Sequence, residues 1–195
     1  MPAEAVRALE TTLQQAGLEL LGTGIPLSGH GLHWLHDSPL LEDLTPAEAD
    51  ILGAALLLVR AQPGQVLVRE GEVGDWMLLL LRGTVDVTKR ADAWPACTDA
   101  TAGSAWPLPA GSTRLAVIKP GAAVGEMSML DGEPRYATCT AIEVVEAGVM
   151  TRKAIARLIH DHPAVGAKLL VKLTQLLARR LRSTGNQLAR MLHKK

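Results

Sequence analysis

Two opposite charges, Glu126 and Arg135, bracket the stretch best suited to chemistry: Val124-Gly125-Glu126-Met127-Ser128-Met129-Leu130-Asp131-Gly132-Glu133-Pro134-Arg135-Tyr136-Ala137-Thr138. Gly125 has no Cβ and lets backbone approach a ligand closely. Residues 126–130 are long enough for one helical turn, whose free N–H groups attract an anion. An arginine offers a planar fork that suits a phosphate, and a carboxylate accepts hydrogen bonds from sugar hydroxyls. One acid, one base and a helix start therefore match a sugar phosphate. The bland alternative is that Glu126 and Arg135 pair with each other, and the two charges alone do not separate these readings.

These residues must be held by the surrounding elements. Residues 4–21 read as a first helix, with Val6, Leu9, Leu13, Ala16 and Leu20 at helical spacing. Residues 22–39 form a Gly/His/Pro-rich connection. Thr45, Pro46 and Glu48 spell an N-cap, a first-turn proline and a capping box, and open a helix to about residue 60. Short aliphatic or β-branched runs follow at 65–70, 76–81, 84–89, 114–119, 136–142 and 143–150. Turn signals at Pro63-Gly64, Gly71 to Gly74, Gly83, Pro120-Gly121 and Asp131-Gly132 separate them, a rhythm of sandwiches and barrels. Residues 91–113, with Trp94 and Trp106, make a long surface connection. Thr151 caps a helix over 152–161, and Pro163 opens a long helix to about residue 193. In it Leu170, Thr174, Leu177, Leu181, Thr184, Leu188 and Met191 alternate steps of four and three, a heptad seam suited to a partner helix.

The stretch around Glu126 resembles the phosphate-binding cassette of the cyclic-nucleotide-binding domain family, the β-roll of catabolite activators and protein kinase A regulatory subunits. Gly125-Glu126, Pro134-Arg135 and Ala137-Thr138 stand at the family's places with no gap. Gly64 to Glu72, with Asp75 and Gly83, looks like the first strands of that roll. Pro39-Leu40-Leu41 with Leu44-Thr45-Pro46 looks like its leading helix, and Ala178-Arg179-Arg180-Leu181 like part of its long helix. The resemblance covers about residues 38–193. It implies an α+β fold: an antiparallel β-roll, a double-stranded jelly-roll-like barrel, with N-terminal helices and a long C-terminal helix. It divides the chain into residues 1–37 (helix and His/Gly-rich linker), 38–162 (binding roll with flanking helices) and 163–195 (dimerisation helix). It also implies a ligand site of Gly125, Glu126, Met127, Ser128, Pro134, Arg135, Tyr136, Ala137 and Thr184. There Glu126 accepts from the ribose 2′-hydroxyl, Arg135 pairs with the cyclic phosphate, and the N–H groups of Met127 and Tyr136 help hold oxygens. Thr184-Gly185 stands where activator relatives place a purine-facing Thr-Ser pair.

Three residues depart from the pattern. Tyr136, the single tyrosine, replaces a small residue after the arginine; it can stack on a base, reshape the pocket for a larger cyclic dinucleotide, or fill the site. Val124 replaces an aromatic. Gly185 removes a hydroxyl and weakens a helix interior by ~1 kcal/mol.

The implied function is a non-enzymatic sensor that binds a cyclic nucleotide, cAMP ahead of cGMP, and signals through its C-terminal helix. The partners expected are a second copy, through residues 163–193, and a protein effector. The span after the long helix leaves no room for a helix-turn-helix module, so direct DNA binding is not expected. The alternative is an interaction module whose pocket Tyr136 fills. An enzyme on a cupin-like barrel would need histidines on strands, and here they fall outside them. Twenty basic and twenty acidic residues cancel, giving no bulk argument for nucleic acid or an acidic membrane. Two cysteines without metal or redox spacing suit a reducing cytoplasm. No apolar run has spanning length, and Glu4 and Glu10 oppose a signal peptide. His30, His33 and His36 repeat every third residue but lack a fixed fourth ligand, so no metal is expected. His160 and His162 fit a helix end, Arg179, Arg180 and Arg182 a solvated helix face, Lys194-Lys195 a solvated end, and Cys139 the core.

Overall fold

The structure, a computed structural model of the chain, describes residues 9–14, 16–90 and 111–192. Trp94, Trp106 and Lys194-Lys195 lie outside the described residues, as does most of the 91–113 connection.

A helical segment, α1 (residues 9–14), leads into strand β1 (Glu19–Thr23). A 3-10 turn (Leu27–His30) and a short helix α2 (Leu32–Asp37) follow. Helix α3 (Pro46–Ala54) starts at the expected capping box: the Glu48 N–H donates to Thr45 Oγ1, and the Glu48 carboxylate accepts from the Thr45 N–H. It ends sooner than helical spacing suggests. Leu57–Ala61 is strand β2, paired along its whole length with β9 (Val145–Thr151). The run from Leu56 to Val59 is apolar without a break, so periodicity cannot tell helix from strand there; the partner strand decides. Likewise, 19–23 is not the tail of the first helix but pairs antiparallel with β2, and so belongs to the sheet.

The remaining strands are β3 (Val66–Val68), β4 (Trp76–Arg82), β5 (Val85–Arg90), β6 (Ser112–Ile118), β7 (Ala123–Val124) and β8 (Thr138–Ala141). They build two antiparallel sheets, in the orders β1-β2-β9-β4-β7 and β3-β8-β5-β6. Helix α4 (Glu126–Asp131) interrupts the roll between β7 and β8, and α5 (Arg152–Asp161) and α6 (Pro163–Leu192) close the chain. The fold is thus the α+β antiparallel roll with a long C-terminal helix.

β4 shows how the core is shared. Successive side chains of a strand face opposite ways. Leu78 and Leu80 enter one cluster with Val59, Val85, Val124, Cys139, Ala147 and Val149. Met77, Leu79 and Leu81 enter a second, with Leu41 from the turn before α3 and Leu52, Met129, Ile155, Leu169 and Leu173 from the helices. Covered on both faces, β4 is apolar from Trp76 to Leu81, and the absence of phenylalanine leaves mostly aliphatic side chains to fill both clusters.

Helix α6 buries Val165, Leu169, Leu173 and Leu176. Ion pairs hold the same face: Lys168 reaches Glu48 at 2.7 Å, and the buried Lys172 reaches Glu42 at 2.7 Å and Asp43 at 2.5 Å. The heptad seam faces elsewhere. Leu170 and Leu181 are exposed, and the Thr174 and Thr184 hydroxyls donate to carbonyls one turn back. Among the described residues, no helix is long and apolar enough to cross a membrane.

Cys139 is buried, and burial pushes its thiol up to about 12. In a Cys97→Ser background, a thiol reagent at neutral pH should therefore leave Cys139 unmodified until the protein unfolds. Rapid labelling of native protein, followed by absorbance, would contradict this packing.

Candidate functional site

β7 pairs with the middle of β4, at Leu78 and Leu79, and delivers the chain to Gly125. Gly125 takes φ 80°, a left-handed conformation that glycine adopts without strain, and the chain turns directly into α4. Along α4, Met129 and Ser128 point inward while Met127 and Leu130 are exposed. Gly132 ends the helix at φ 81°. Arg152, at the start of α5, donates from Nε to the Met129 carbonyl at 2.6 Å, closing one of the carbonyls that a helix end leaves open.

Glu126 is fully buried. Its Oε1 accepts from Arg180 Nη1, and Arg180 Nη2 also donates to the Ala123 carbonyl at 2.9 Å. Its Oε2 is buried with no hydrogen-bond partner among the described residues. Buried polar atoms are nearly always paired, so such an acceptor needs an explanation. A hydroxyl donor from a ligand would supply one.

Arg135 is 4% exposed. Its Nη1 donates to the Gly125 carbonyl at 2.6 Å and its Nη2 to the Trp76 carbonyl at 2.7 Å, while the guanidinium lies 4.4 Å from the Trp76 ring centroid. The loop before β4 holds its backbone: the Arg135 N–H donates to Glu72 O at 2.8 Å, and the Gly71 N–H donates to Arg135 O at 2.9 Å. Burial lowers the pKa of the guanidinium, opposed by nearby acidic groups including Asp75 and Glu126; an arginine still keeps its proton. Glu126 and Arg135 do not neutralise each other by direct pairing. The acid is held by Arg180 and the base by carbonyls.

Tyr136 is half exposed. The Lys89 ammonium sits 4.2 Å from its ring centroid and donates to its carbonyl at 2.7 Å. Lys89 also meets Glu70 at 3.2 Å. Burial would raise the Glu70 pKa, but the Arg90 N–H and the Lys89 ammonium outweigh it and hold the carboxyl below its ordinary value. Ala137 is buried and Pro134 exposed.

Thr184 is exposed on α6, its hydroxyl bonded to Arg180 O at 3.0 Å. The contact of α6 with the cassette is made by Arg180, one turn earlier. This corrects the reading of Arg180 as part of a solvated face, which does describe the exposed Arg179 and Arg182. The sequence held a signal: Val165, Leu169, Leu173, Leu176 and Arg180 continue one stripe in steps of four and three, and a charge in a buried stripe asks for a buried partner. Trp76 and Arg152 also escaped the sequence reading. Of the spaced histidines, His33 meets Asp37 at 3.1 Å and His30 lies against Trp34.

The cassette thus presents a buried carboxylate with one oxygen unpaired among the described residues, and a buried guanidinium fixed by carbonyls. Comparison with known proteins shows the family. The model of the cyclic nucleotide-binding domain matches residues 107–162. A crystal structure of a cyclic nucleotide-binding domain from Methylobacillus flagellatus is 30% identical, with TM-score 0.70, and covers 91% of this chain and 89% of that one. The chain belongs to the cyclic nucleotide-binding domain family. The CRP-like cAMP-activated global transcriptional regulator of Mycobacterium tuberculosis is 30% identical over 154 residues, 78% of this chain and 59% of the regulator. The catabolite activator protein of Thermus thermophilus is 27% identical, with TM-score 0.63, covering 79% of this chain and 63% of that one. The chain thus spans about three fifths of the regulator's length.

Proposed function

We propose that this cyclic nucleotide-binding chain is a regulatory module of the cytoplasm, not an enzyme, with cAMP as its ligand. Glu126 Oε2 accepts from the ribose 2′-hydroxyl, and Arg135 pairs with the cyclic phosphate. Gly125 and the N–H groups of Met127 and Tyr136 line the phosphate, with Ser128, Pro134 and Ala137 shaping the loop. The observation that carries this reading is the fully buried Glu126 carboxylate whose Oε2 has no described partner. The exposed, Lys89-bound ring of Tyr136 favours a ligand-binding module over one with a self-filled pocket. The exposed seam of Leu170 and Leu181 supports self-association through residues 163–193, which would bring Thr184 to a partner's ligand. The bound ligand biases how α6 docks, and a protein effector reads that change; the shift can be no larger than the ligand's differential affinity for the two states.

Titration calorimetry of nucleotide-stripped protein with cAMP, cGMP and cyclic di-GMP tests the reading. Saturable binding of cAMP, weakened by Glu126→Ala and less weakened for a 2′-deoxy analogue, is the expected result. Folded protein that gives no heat with any of the three would instead support the interaction module.

A further inference from the structure

We infer that Trp76 is a positioning residue for Arg135, holding the guanidinium in one plane before a ligand arrives. The inference rests on the reading of Arg135 as the phosphate-binding cation. Trp76 acts twice on that side chain. Its ring face covers the guanidinium at 4.4 Å, and its carbonyl accepts from Nη2 at 2.7 Å. Glycine backbone approaches two of its edges closely. A Cβ on Gly74 would stand 2.6 Å from Nη2 and 3.1 Å from Cζ, and one on Gly125 would stand 2.7 Å from Nη1. The guanidinium therefore lies in a slot with an indole as one wall and side-chain-free backbone at its edges.

The slot matters because arginine recognises phosphate through a planar fork, whose two parallel bonds form only when the plane is correctly set. A long side chain left free would have to be ordered on binding, at the expense of affinity; one already held has no such penalty. Trp76 opens β4, and its ring also packs against the cluster between the sheets. The inference is that the ring serves Arg135 in addition to that packing.

Five proteins test it: wild type, Trp76→Leu, Trp76→Phe, Arg135→Lys and the double variant Trp76→Leu/Arg135→Lys. Each is melted to establish that it folds and titrated with cAMP. Removing the aromatic face should weaken binding about tenfold, and phenylalanine should restore it to within about threefold of wild type. In the Arg135→Lys background, where no planar fork remains, Trp76→Leu should change affinity by less than about twofold. A purely packing role would give the same loss in both backgrounds, and that result, or wild-type affinity in Trp76→Leu, overturns the inference while leaving the ligand site standing.

A second readout needs no ligand. The Arg135 Nε–H resonance, assigned by its loss in Arg135→Lys, should be displaced by the indole ring current and return toward its ordinary position in Trp76→Leu. A wild-type protein that binds no cyclic nucleotide brings down the proposed function. The resonance then decides the geometry by itself, and one that does not move in Trp76→Leu overturns the positioning role.

Discussion

Arg135→Ala should weaken cyclic-nucleotide binding by ~2–5 kcal/mol, roughly thirtyfold to several-thousandfold. The magnitude follows from where the group sits. Arg135 is 4% exposed, so a phosphate that reaches it leaves water behind, and without the guanidinium it would be desolvated and unpaired. Arg135→Lys keeps the charge but loses the fork, and should fall between wild type and alanine. Calorimetry on variants shown to fold by circular dichroism measures both. An alanine variant that binds as tightly as wild type would remove Arg135 from the site.

The second large effect concerns stability. Arg180→Ala should destabilise the protein by about 3 kcal/mol, the low end of the ~3–5 kcal/mol seen when a buried pair loses one partner. The low end applies because the Arg180 side chain keeps 40% of its surface in solvent, whereas that of Glu126 keeps none. The loss is the penalty of an uncompensated buried carboxylate, not the strength of an ion pair. Adding Glu126→Gln should therefore recover most of it, and the double variant should be more stable than Arg180→Ala alone. Urea unfolding of wild type, Arg180→Ala, Glu126→Gln and the double variant reads this directly. If Arg180→Ala matches wild type, or if glutamine fails to rescue it, Glu126 is not held by Arg180 in solution. The pair also joins α6 to the loop that would carry the ligand, so the same residue that stabilises Glu126 ties the cassette to the helix proposed to transmit the signal.

Much of this was legible along the chain because the signals are local. The capping box at Thr45 and Glu48, the Thr151 cap of α5, the proline that opens α6 and the glycines at turns each act within a few residues, and the structure shows them where the sequence places them. The Gly125-Glu126 and Pro134-Arg135 spacing marks the cassette for the same reason: a short helix and its return strand lie within one continuous stretch. Tertiary structure decided what depends on distant partners. β1 and β2 are strands because β2 pairs with β9, whose residues lie more than 80 positions further along; the local apolar pattern of β2 suits a helix equally well. Glu126 and Arg135 are equally compatible with a mutual ion pair until Arg180, 54 residues away, takes the carboxylate, and the carbonyls of Gly125 and Trp76 take the guanidinium. A sequence records which residues carry charge and how they are spaced, but which charge meets which is set by strand pairing and helix docking. That is why the stretch could be marked along the chain by its resemblance to the cassette, while its connection to α6 could not.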